Sequence, residues 1–129
     1  MEFIADTNIV SFIHTGDSRG EPYRARLTGR EVGISFASVA ELYRWTIVRA
    51  WDQTRIDNLM ADLRRYLTLP PDDGTAWEWA RIKSISGHPM SSDDAWIAAA
   101  AKRYNVPLVT HNRKHFENIP GLTVISEAP

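Results

Sequence analysis

Cysteine is absent from the 129 residues of this sequence. A disulfide framework, a zinc site built on thiolates and a cysteine nucleophile are therefore excluded together. The start of the chain, MEFIADTNIV, lacks a basic stretch followed by a long apolar core. No uncharged apolar run elsewhere approaches the roughly 18 to 20 residues that a membrane span needs. We expect a protein of the reducing cytoplasm with no membrane anchor.

An excess of charge of either sign is also missing. The chain carries 15 basic and 16 acidic side chains, which gives a formal net charge of -1. No overall positive field attracts a polyanion, so any contact with nucleic acid must come from local clusters of charge. The length suits a single domain over residues 1–129, which buries roughly two thirds of the surface that its unfolded chain exposes.

Short apolar runs alternate with segments of helical spacing along the chain. The runs typical of strands are FIAD (3–6), VGISF (32–36), VPLVT (106–110) and LTVI (122–125). Helical patterns cover 8–14, 23–27, 37–51, 52–67, 74–86 and 91–104. This alternation predicts an α/β fold with a mostly parallel sheet covered by helices on both faces. In such sheets, ligands bind beyond the carboxyl ends of the strands, near a switch in strand order.

The segment SSDDAWIAAAAKRY (91–104) places two carboxylates at the start of a helix that is otherwise largely apolar. Asp94 lies three and four residues before Ile97 and Ala98, so it projects from the face that we expect to be buried. Asp93 is turned about 100° away, and the helix dipole, which favours an acid in the first turn, is enough to explain it. The dipole does not explain the orientation of Asp94, because a buried charge needs a partner.

Two further acids occupy positions that call for an explanation. Asp6 ends the first strand, where ligands of α/β sheets bind, although Asp6 or Asn8 also suits the cap of the following helix. Glu41 lies in the 37–51 helix, which is apolar nearly all round, so we expect this helix to be buried. An exposed glutamate at a gap in the packing is the common alternative, but a clean solvent-facing stripe is hard to draw here.

These three carboxylates come from distant parts of the chain. If they were gathered at one place, they would repel one another and their pKa values would rise, unless a cation neutralised them. Carboxylate, hydroxyl and water oxygens suit Mg²⁺ or Mn²⁺, which would activate water and stabilise charge on a phosphate during in-line displacement. The sequence therefore predicts a site for a hard divalent metal at the carboxyl edge of the sheet.

The segment VTHNRKHF (109–116) begins with the last two residues of the run VPLVT. Thr110 and Asn112 leave the end of the strand as neutral oxygen donors that can hold a water or touch a metal weakly. Arg113 and Lys114 supply local positive charge for a phosphate backbone, although either residue alone is as well explained by a solvated loop.

Two histidines of this segment, His111 and His115, have the four-residue spacing of a zinc pair on a helix. The glutamate of the H-E-x-x-H motif is absent, and His111 can precede the helix. We therefore do not expect zinc.

With ADTNIV at the end of the first strand, SVAELYR on the third helix, DDAWIAAAA and LVTHNRKHF in this order, the sequence resembles the PIN-domain ribonucleases, specifically the VapC-type toxins of toxin-antitoxin pairs. The resemblance spans nearly the whole chain. It implies a central parallel sheet of about five short strands flanked by helices on both faces. It also implies an Mg²⁺- or Mn²⁺-dependent endoribonuclease that cleaves RNA in the cytoplasm, and a cognate antitoxin that blocks its acidic pocket.

The resemblance carries over to particular positions of this chain. The acids that match the family's metal site, and that are expected to be catalytic, are Asp6, Glu41 and Asp94. The other matched positions are Thr7, Asn8, Thr110 and Asn112. Of these, Asn112 is expected to join the catalytic group, and the others are expected to position the substrate together with Arg113 and Lys114.

Asn112 often corresponds to an aspartate in the family, and the asparagine removes one negative charge. This change should weaken a second metal more than the first. A degenerate PIN-like module that binds RNA or protein without catalysis therefore stays open as the alternative. The family also leads us to expect a homodimer, for which the helices over 37–51 and 52–67 could supply the surface.

Overall fold

The computed structural model of the chain describes residues 1–85 and 90–129. Within these residues, five parallel strands form one sheet in the order β3-β2-β1-β4-β5. The strands are β1 (Phe3–Ala5), β2 (Val32–Ser35), β3 (Leu67–Leu69), β4 (Leu108–Val109) and β5 (Val124–Ile125). The helices are α1 (Thr7–Thr15), α2 (Glu21–Leu27), α3 (Phe36–Val48), α4 (Gln53–Leu63), α5 (Asp73–Lys83) and α6 (Ser92–Tyr104).

Strand β1 lies at the centre of the sheet, with β2 on one side and β4 on the other. Ile4 is paired with Gly33 of β2 and with Leu108 of β4. The chain thus leaves β1 toward one half of the sheet and later returns to build the other half. This is the switch in strand order at which α/β sheets bind their ligands. The residues that follow β1 and β4 meet at that edge.

The core is divided between the two faces of the sheet because successive strand residues point to opposite sides. On β1, Ile4 packs with the residues of α6, whereas Ala5 packs with those of α1, α3 and α4. Leu108 and Val109 of β4 divide in the same way. The expected α/β architecture, with a parallel sheet between helices, is therefore confirmed.

Helix α6 buries a run of small side chains against the sheet. Ala95 and every residue from Ile97 to Ala101 are buried. Ser91 caps the helix by accepting a hydrogen bond from the backbone N–H of Asp94 at 3.1 Å. Asn105 ends it in the left-handed conformation, with φ at 54°. The methyl side chains allow α6 to lie close to the sheet and to α5.

Strand β3 was not predicted by the sequence pattern, which continued a helix from 52 to 67. The spacing of Leu63 and Leu67 imitates a helical turn, but α4 ends at Leu63 and a turn follows. Leu67 then pairs with Gly33 of β2, so the short run LTL becomes an edge strand. Pairing with a distant strand decided this segment, and no local pattern contains that information.

Two other boundaries differ from the sequence prediction. Helix α3 begins at Phe36 and ends at Val48, three residues before the predicted end. The helix expected over 74–86 is observed as α5 and ends at Lys83. The last residue of that prediction, Ser86, lies outside the described residues.

Helix α3 is not buried all round, and this expectation was wrong. The exposed fractions are 40% for Tyr43, 78% for Ile47 and 67% for Val48. Leu42 and Thr46 are buried, because α3 packs on the rest of the chain through one side only. The other side presents large apolar groups to solvent.

None of the helices within residues 1–85 and 90–129 is long and apolar enough to cross a membrane.

Ala101 of α6 tests how tightly this helix packs, because its side chain is fully buried. We expect Ala101→Leu to lower the free energy of unfolding by about 1–3 kcal/mol, the usual cost of overpacking a well-filled core. The matched control is Ala76→Leu on the exposed side of α5, which should change it by less than about 0.5 kcal/mol. Urea denaturation followed by circular dichroism measures both values. Equal midpoints for the two variants would show that α6 has free space against the sheet.

Candidate active site at the carboxyl edge of the sheet

Asp6 is the buried acid at the centre of this edge. It follows β1 and caps α1, and only 6% of its surface is exposed. The backbone N–H of Thr7 donates to its Oδ1 at 2.8 Å, and the hydroxyl of Thr110, which follows β4, donates to its Oδ2 at 2.7 Å. Both carboxylate oxygens are therefore held in place by hydrogen bonds from neighbouring elements.

Glu41 reaches the same edge from α3 and is half-buried. The hydroxyl of Thr7 donates to its Oε1 at 2.9 Å and lies 2.8 Å from the hydroxyl of Ser38. Thr7 consequently links two acids, since its backbone N–H binds Asp6 and its hydroxyl binds Glu41. Ser38 lies three residues before Glu41 and shares its helix face.

Asp94 lies in the first turn of α6 and is partly buried, whereas Asp93 is exposed. The Oδ2 of Asp94 is 3.0 Å from Nδ1 of His115, which belongs to the short 3-10 turn after β4. The amide nitrogen of the Asn112 side chain is 3.1 Å from the same ring. The helix face of α6 thus carries Asp94 to the edge where Asp6 lies.

The pKa of Asp6 is raised from its ordinary value, chiefly because burial disfavours the charged form. The hydrogen bond from Thr110 lowers the pKa, and the negative charge of Asp94 raises it again. The charge of Asp94 therefore acts directly on Asp6.

The pKa of Glu41 is also raised, and burial is again the largest cause. The hydrogen bond from Thr7 lowers this pKa, while the charges of Asp93, Asp6 and Asp94 raise it. The acids from β1, α3 and α6 thus lie near enough to repel one another, although they are distant in the sequence. Removing negative charge from this cluster, or adding a cation, relieves that repulsion.

The donor set of this cluster suits a hard cation by its chemistry. Its ligand atoms would be carboxylate and hydroxyl oxygens, which Mg²⁺ and Mn²⁺ prefer. In the described part of the chain, no lysine or arginine forms an ion pair with Asp6, Glu41 or Asp94. Within residues 1–85 and 90–129, however, no three His, Asp or Glu side chains are placed to hold a metal together. The acids are neighbours, but they do not form a finished ligand cage.

The other predicted positions divide into two groups. Thr110 is fully buried, and it both donates to Asp6 and accepts the backbone N–H of Asn112 at 3.0 Å. Asn8, Arg113 and Lys114 are exposed, and their side chains make no hydrogen bond or ion pair with the described residues. The structure therefore places Thr7 and Thr110 against the acids and Asn112 against Thr110 and His115, and it leaves the other three side chains open to solvent.

The histidine pair is separated by the fold. Nδ1 of His111 is 2.7 Å from the hydroxyl of Tyr23, while His115 contacts Asp94. The contact between His115 and Asp94 was not predicted, because the sequence spacing suggested only a pair on one helix. The 3-10 turn at Arg113–His115, rather than an α-helix, sends the two rings in different directions.

A cavity of about 330 Å³ lies apart from the acids, between α1, α2 and α4. Its lining includes Val10, His14, Arg24, Arg30 and Tyr66 and contains none of the acids of the cluster. The chemistry of the molecule is therefore expected at the carboxyl edge of the sheet and not in this cavity.

The sequence matches the PIN domain family over residues 3–122. Ribonuclease VapC1 of Haemophilus influenzae (strain R2866) is 27% identical over 127 residues, which is 95% of each chain. Ribonuclease VapC5 of Mycobacterium tuberculosis is 30% identical over 117 residues, which is 84% of this chain and 82% of the relative.

Solved structures show the same fold. VapBC2 from Rickettsia felis, bound to a DNA fragment from its promoter, has a TM-score of 0.84 at 21% identity, with 98% of each chain covered. VapBC-1 from nontypeable Haemophilus influenzae has a TM-score of 0.78 at 25% identity, again with 98% of each chain covered. The chain therefore belongs to the PIN-domain family and, within it, to the VapC proteins.

Proposed function

We propose that this chain is a VapC-type toxin, a divalent-metal-dependent endoribonuclease that acts in the cytoplasm and is inhibited by a cognate antitoxin. The observation that carries the proposal is the buried carboxylate of Asp6. It lies at the switch point of the sheet, and no lysine or arginine of the described residues forms an ion pair with it. The negative charge of Asp94 raises its pKa. Curated relatives that align over most of the chain are named ribonucleases.

In this proposal, Asp6, Glu41 and Asp94 would hold the metal through their carboxylate oxygens. Bound Mg²⁺ or Mn²⁺ would activate a water and stabilise the charge on the phosphate during in-line displacement. Asn112 supplies a neutral amide where a fourth carboxylate would suit a second ion, so we assign one metal to the site.

The protein's own groups divide the remaining tasks. Asp6 is fixed by Thr7 and Thr110, so it can orient the site without moving. Glu41 has one carboxylate oxygen, Oε2, without a hydrogen bond to the described residues, so this oxygen can accept a proton from a water. We assign to Glu41 the removal of a proton from the attacking water.

The RNA backbone is proposed to lie along the exposed side chains at the rim. Arg113 and Lys114 make no ion pair with the described residues, so their charges are available to phosphates. Asn8 lies in the first turn of α1 next to Asp6 and is exposed as well. Thr7 and Thr110, which the sequence assigned to the substrate, are instead assigned to orienting the acids.

Two protein partners belong to the proposal. The VapBC neighbours include VapBC-5 from Mycobacterium tuberculosis, a member of the VapBC family of toxin-antitoxin systems, which supports a cognate antitoxin for this chain. The exposed apolar side of α3, formed by Tyr43, Ile47 and Val48, supports a homodimer, because large exposed apolar patches are typical of interfaces.

The two neighbouring acids of α6 allow a matched test of the cleavage. We expect the purified protein to cleave structured RNA with Mg²⁺ or Mn²⁺ and to lose this activity in EDTA. Asp94→Asn should reduce the cleavage rate about 100-fold or more, equivalent to about 2.7 kcal/mol of transition-state stabilisation. Asp93→Asn, at the exposed neighbour, should change the rate by less than about threefold.

Sequencing of the cleaved ends identifies the products of this reaction. If the two variants lost equal activity, the assignment of Asp94 would be wrong. If the wild-type protein bound RNA but produced no metal-dependent fragments, the non-catalytic binding module, which Asn112 and the unfinished ligand cage favour, would replace the nuclease.

The raised pKa values of Asp6 and Glu41 predict how metal stabilises the fold. Because the folded acids bind protons more tightly than the unfolded ones, their contribution to stability without metal is largest at low pH and is lost as the pH rises through the raised values. We expect Mg²⁺ or Mn²⁺ to raise Tm at pH 7.5. At a metal concentration of 100 times Kd, the free energy of unfolding should increase by about 2.7 kcal/mol. This gain should shrink toward pH 5, because protons then compete for the same oxygens.

Differential scanning fluorimetry at both pH values measures the gain. The variant Asp94→Asn should show a smaller gain, and Asp73→Asn on the exposed end of α5 should show the wild-type gain. A gain that is independent of pH, or equal in all three proteins, would place the bound ion elsewhere on the chain.

A further inference from the structure

His111 is held between two aromatic rings in the segment that follows β4. Its ring is 5.4 Å from that of Phe12 on α1 and 5.6 Å from that of Tyr23 on α2, with interplanar angles of 88° and 79°. Both contacts are edge-to-face, which is a favourable geometry for aromatic rings. His111 is half-buried and Tyr23 is fully buried. The position of the imidazole is thus fixed by helices on one side of the sheet.

The hydroxyl of Tyr23 determines which nitrogen of His111 carries the proton. This oxygen accepts the backbone N–H of Glu127 at 2.9 Å and lies 2.7 Å from Nδ1 of His111. Tyr23 is buried and has a single hydroxyl hydrogen, which needs an acceptor. Nδ1 is the acceptor at hand, so the neutral ring carries its hydrogen on Nε2.

The ring of Phe12 is also held on its other side. Arg19 lies over the ring of Phe12, with its guanidinium carbon 4.1 Å from the ring centroid. Asp17 holds this guanidinium through two hydrogen bonds, of 3.0 and 2.7 Å. These contacts limit the movement of the Phe12 ring, which is one of the two rings against His111.

The Nε2 nitrogen of His111 is left with an unused hydrogen. Among the described residues it has no hydrogen-bond partner, yet it is not one of their buried unpaired polar atoms. It is therefore open to solvent. The residues on either side of His111 both belong to the acid cluster, since Thr110 donates to Asp6 and the Asn112 amide lies against the ring of His115.

We propose that His111 is a substrate-positioning residue whose Nε2–H donates a hydrogen bond to the RNA strand at the carboxyl edge of the sheet. The inference rests on the proposed ribonuclease function and adds a contact to it. A fixed N–H can pair only with an acceptor, and Arg113 and Lys114 mark the nearby path of the phosphates. We assign the contact to a non-bridging phosphate oxygen of a nucleotide next to the cleaved bond. Tyr23 acts through His111 by setting its tautomer.

Two variants of His111 separate the hydrogen bond from the packing. His111→Phe keeps an aromatic ring between Phe12 and Tyr23 but removes both nitrogens, and we expect it to raise KM for RNA about tenfold, the cost of one hydrogen bond to a charged group. The value of kcat should change less than threefold, because the acids are untouched. His111→Gln offers an amide N–H at similar reach and should restore most of the affinity.

The tautomer can be observed directly. In the uniformly ¹⁵N-labelled wild-type chain, the ring nitrogen shifts of His111 should show a protonated Nε2 and a bare Nδ1, and RNA should shift the Nε2 signal while leaving that of His14 in place. In Tyr23→Phe, which keeps the ring and loses the hydroxyl, the two nitrogens should approach intermediate shifts. A proton on Nδ1 in the wild-type chain would overturn the proposal.

The outcomes distinguish this inference from the function on which it rests. If the wild-type protein cleaves RNA and His111→Phe has the wild-type KM, the contact is absent and the nuclease stands. If no RNA is cleaved but fluorescence anisotropy shows binding that His111→Phe weakens, the contact stands and the nuclease fails. Unchanged cleavage positions in His111→Phe support a phosphate contact, whereas altered positions would identify a base contact and overturn the assignment to phosphate.

Discussion

The hydrogen bond from Thr110 to Asp6 is the interaction on which the organisation of this molecule depends. It joins residues 104 positions apart, across the two adjacent strands β1 and β4. Without such donors, a carboxylate buried at the centre of a sheet would be very costly to ionise. The bond lowers the cost of ionising this carboxylate, and it fixes the point around which Glu41 and Asp94 are arranged. A structural contact of the sheet is at the same time a part of the acidic site.

The acids are connected by small hydroxyl side chains rather than by opposite charges. Thr7 binds two of them, and its hydroxyl lies against Ser38. Hydroxyls satisfy carboxylate oxygens without neutralising them, so the cluster keeps its negative charge while each acid keeps its orientation. Only His115, against Asp94, brings a group that can carry positive charge within the described contacts of these three acids. This arrangement leaves the neutralisation to a component from outside the chain.

Much of the site was accessible from the sequence, because helical periodicity and strand order are local signals. The spacing of Asp94 from Ile97 predicted that it shares the buried face of its helix. The position of Asp6 after an apolar run predicted that it lies at the carboxyl edge of the sheet. Strand β3 and the exposed side of α3 were missed, because both depend on partners that no local pattern specifies. The contacts of Thr110, His111 and His115 were missed for the same reason, since their partners Asp6, Tyr23 and Asp94 are distant in the sequence.

The alanine run of α6 restricts how this sequence can diverge. Side chains from Ala98 to Ala101 fill the layer between the helix and strands β1 and β4, where Ile4 and Leu108 are fully buried. A larger residue on the helix fits only if a strand residue becomes smaller, so substitutions in this layer are expected to arise in compensating pairs. Because Asp94 lies on the same helix, a substitution that moved α6 away from the sheet would also move this carboxylate.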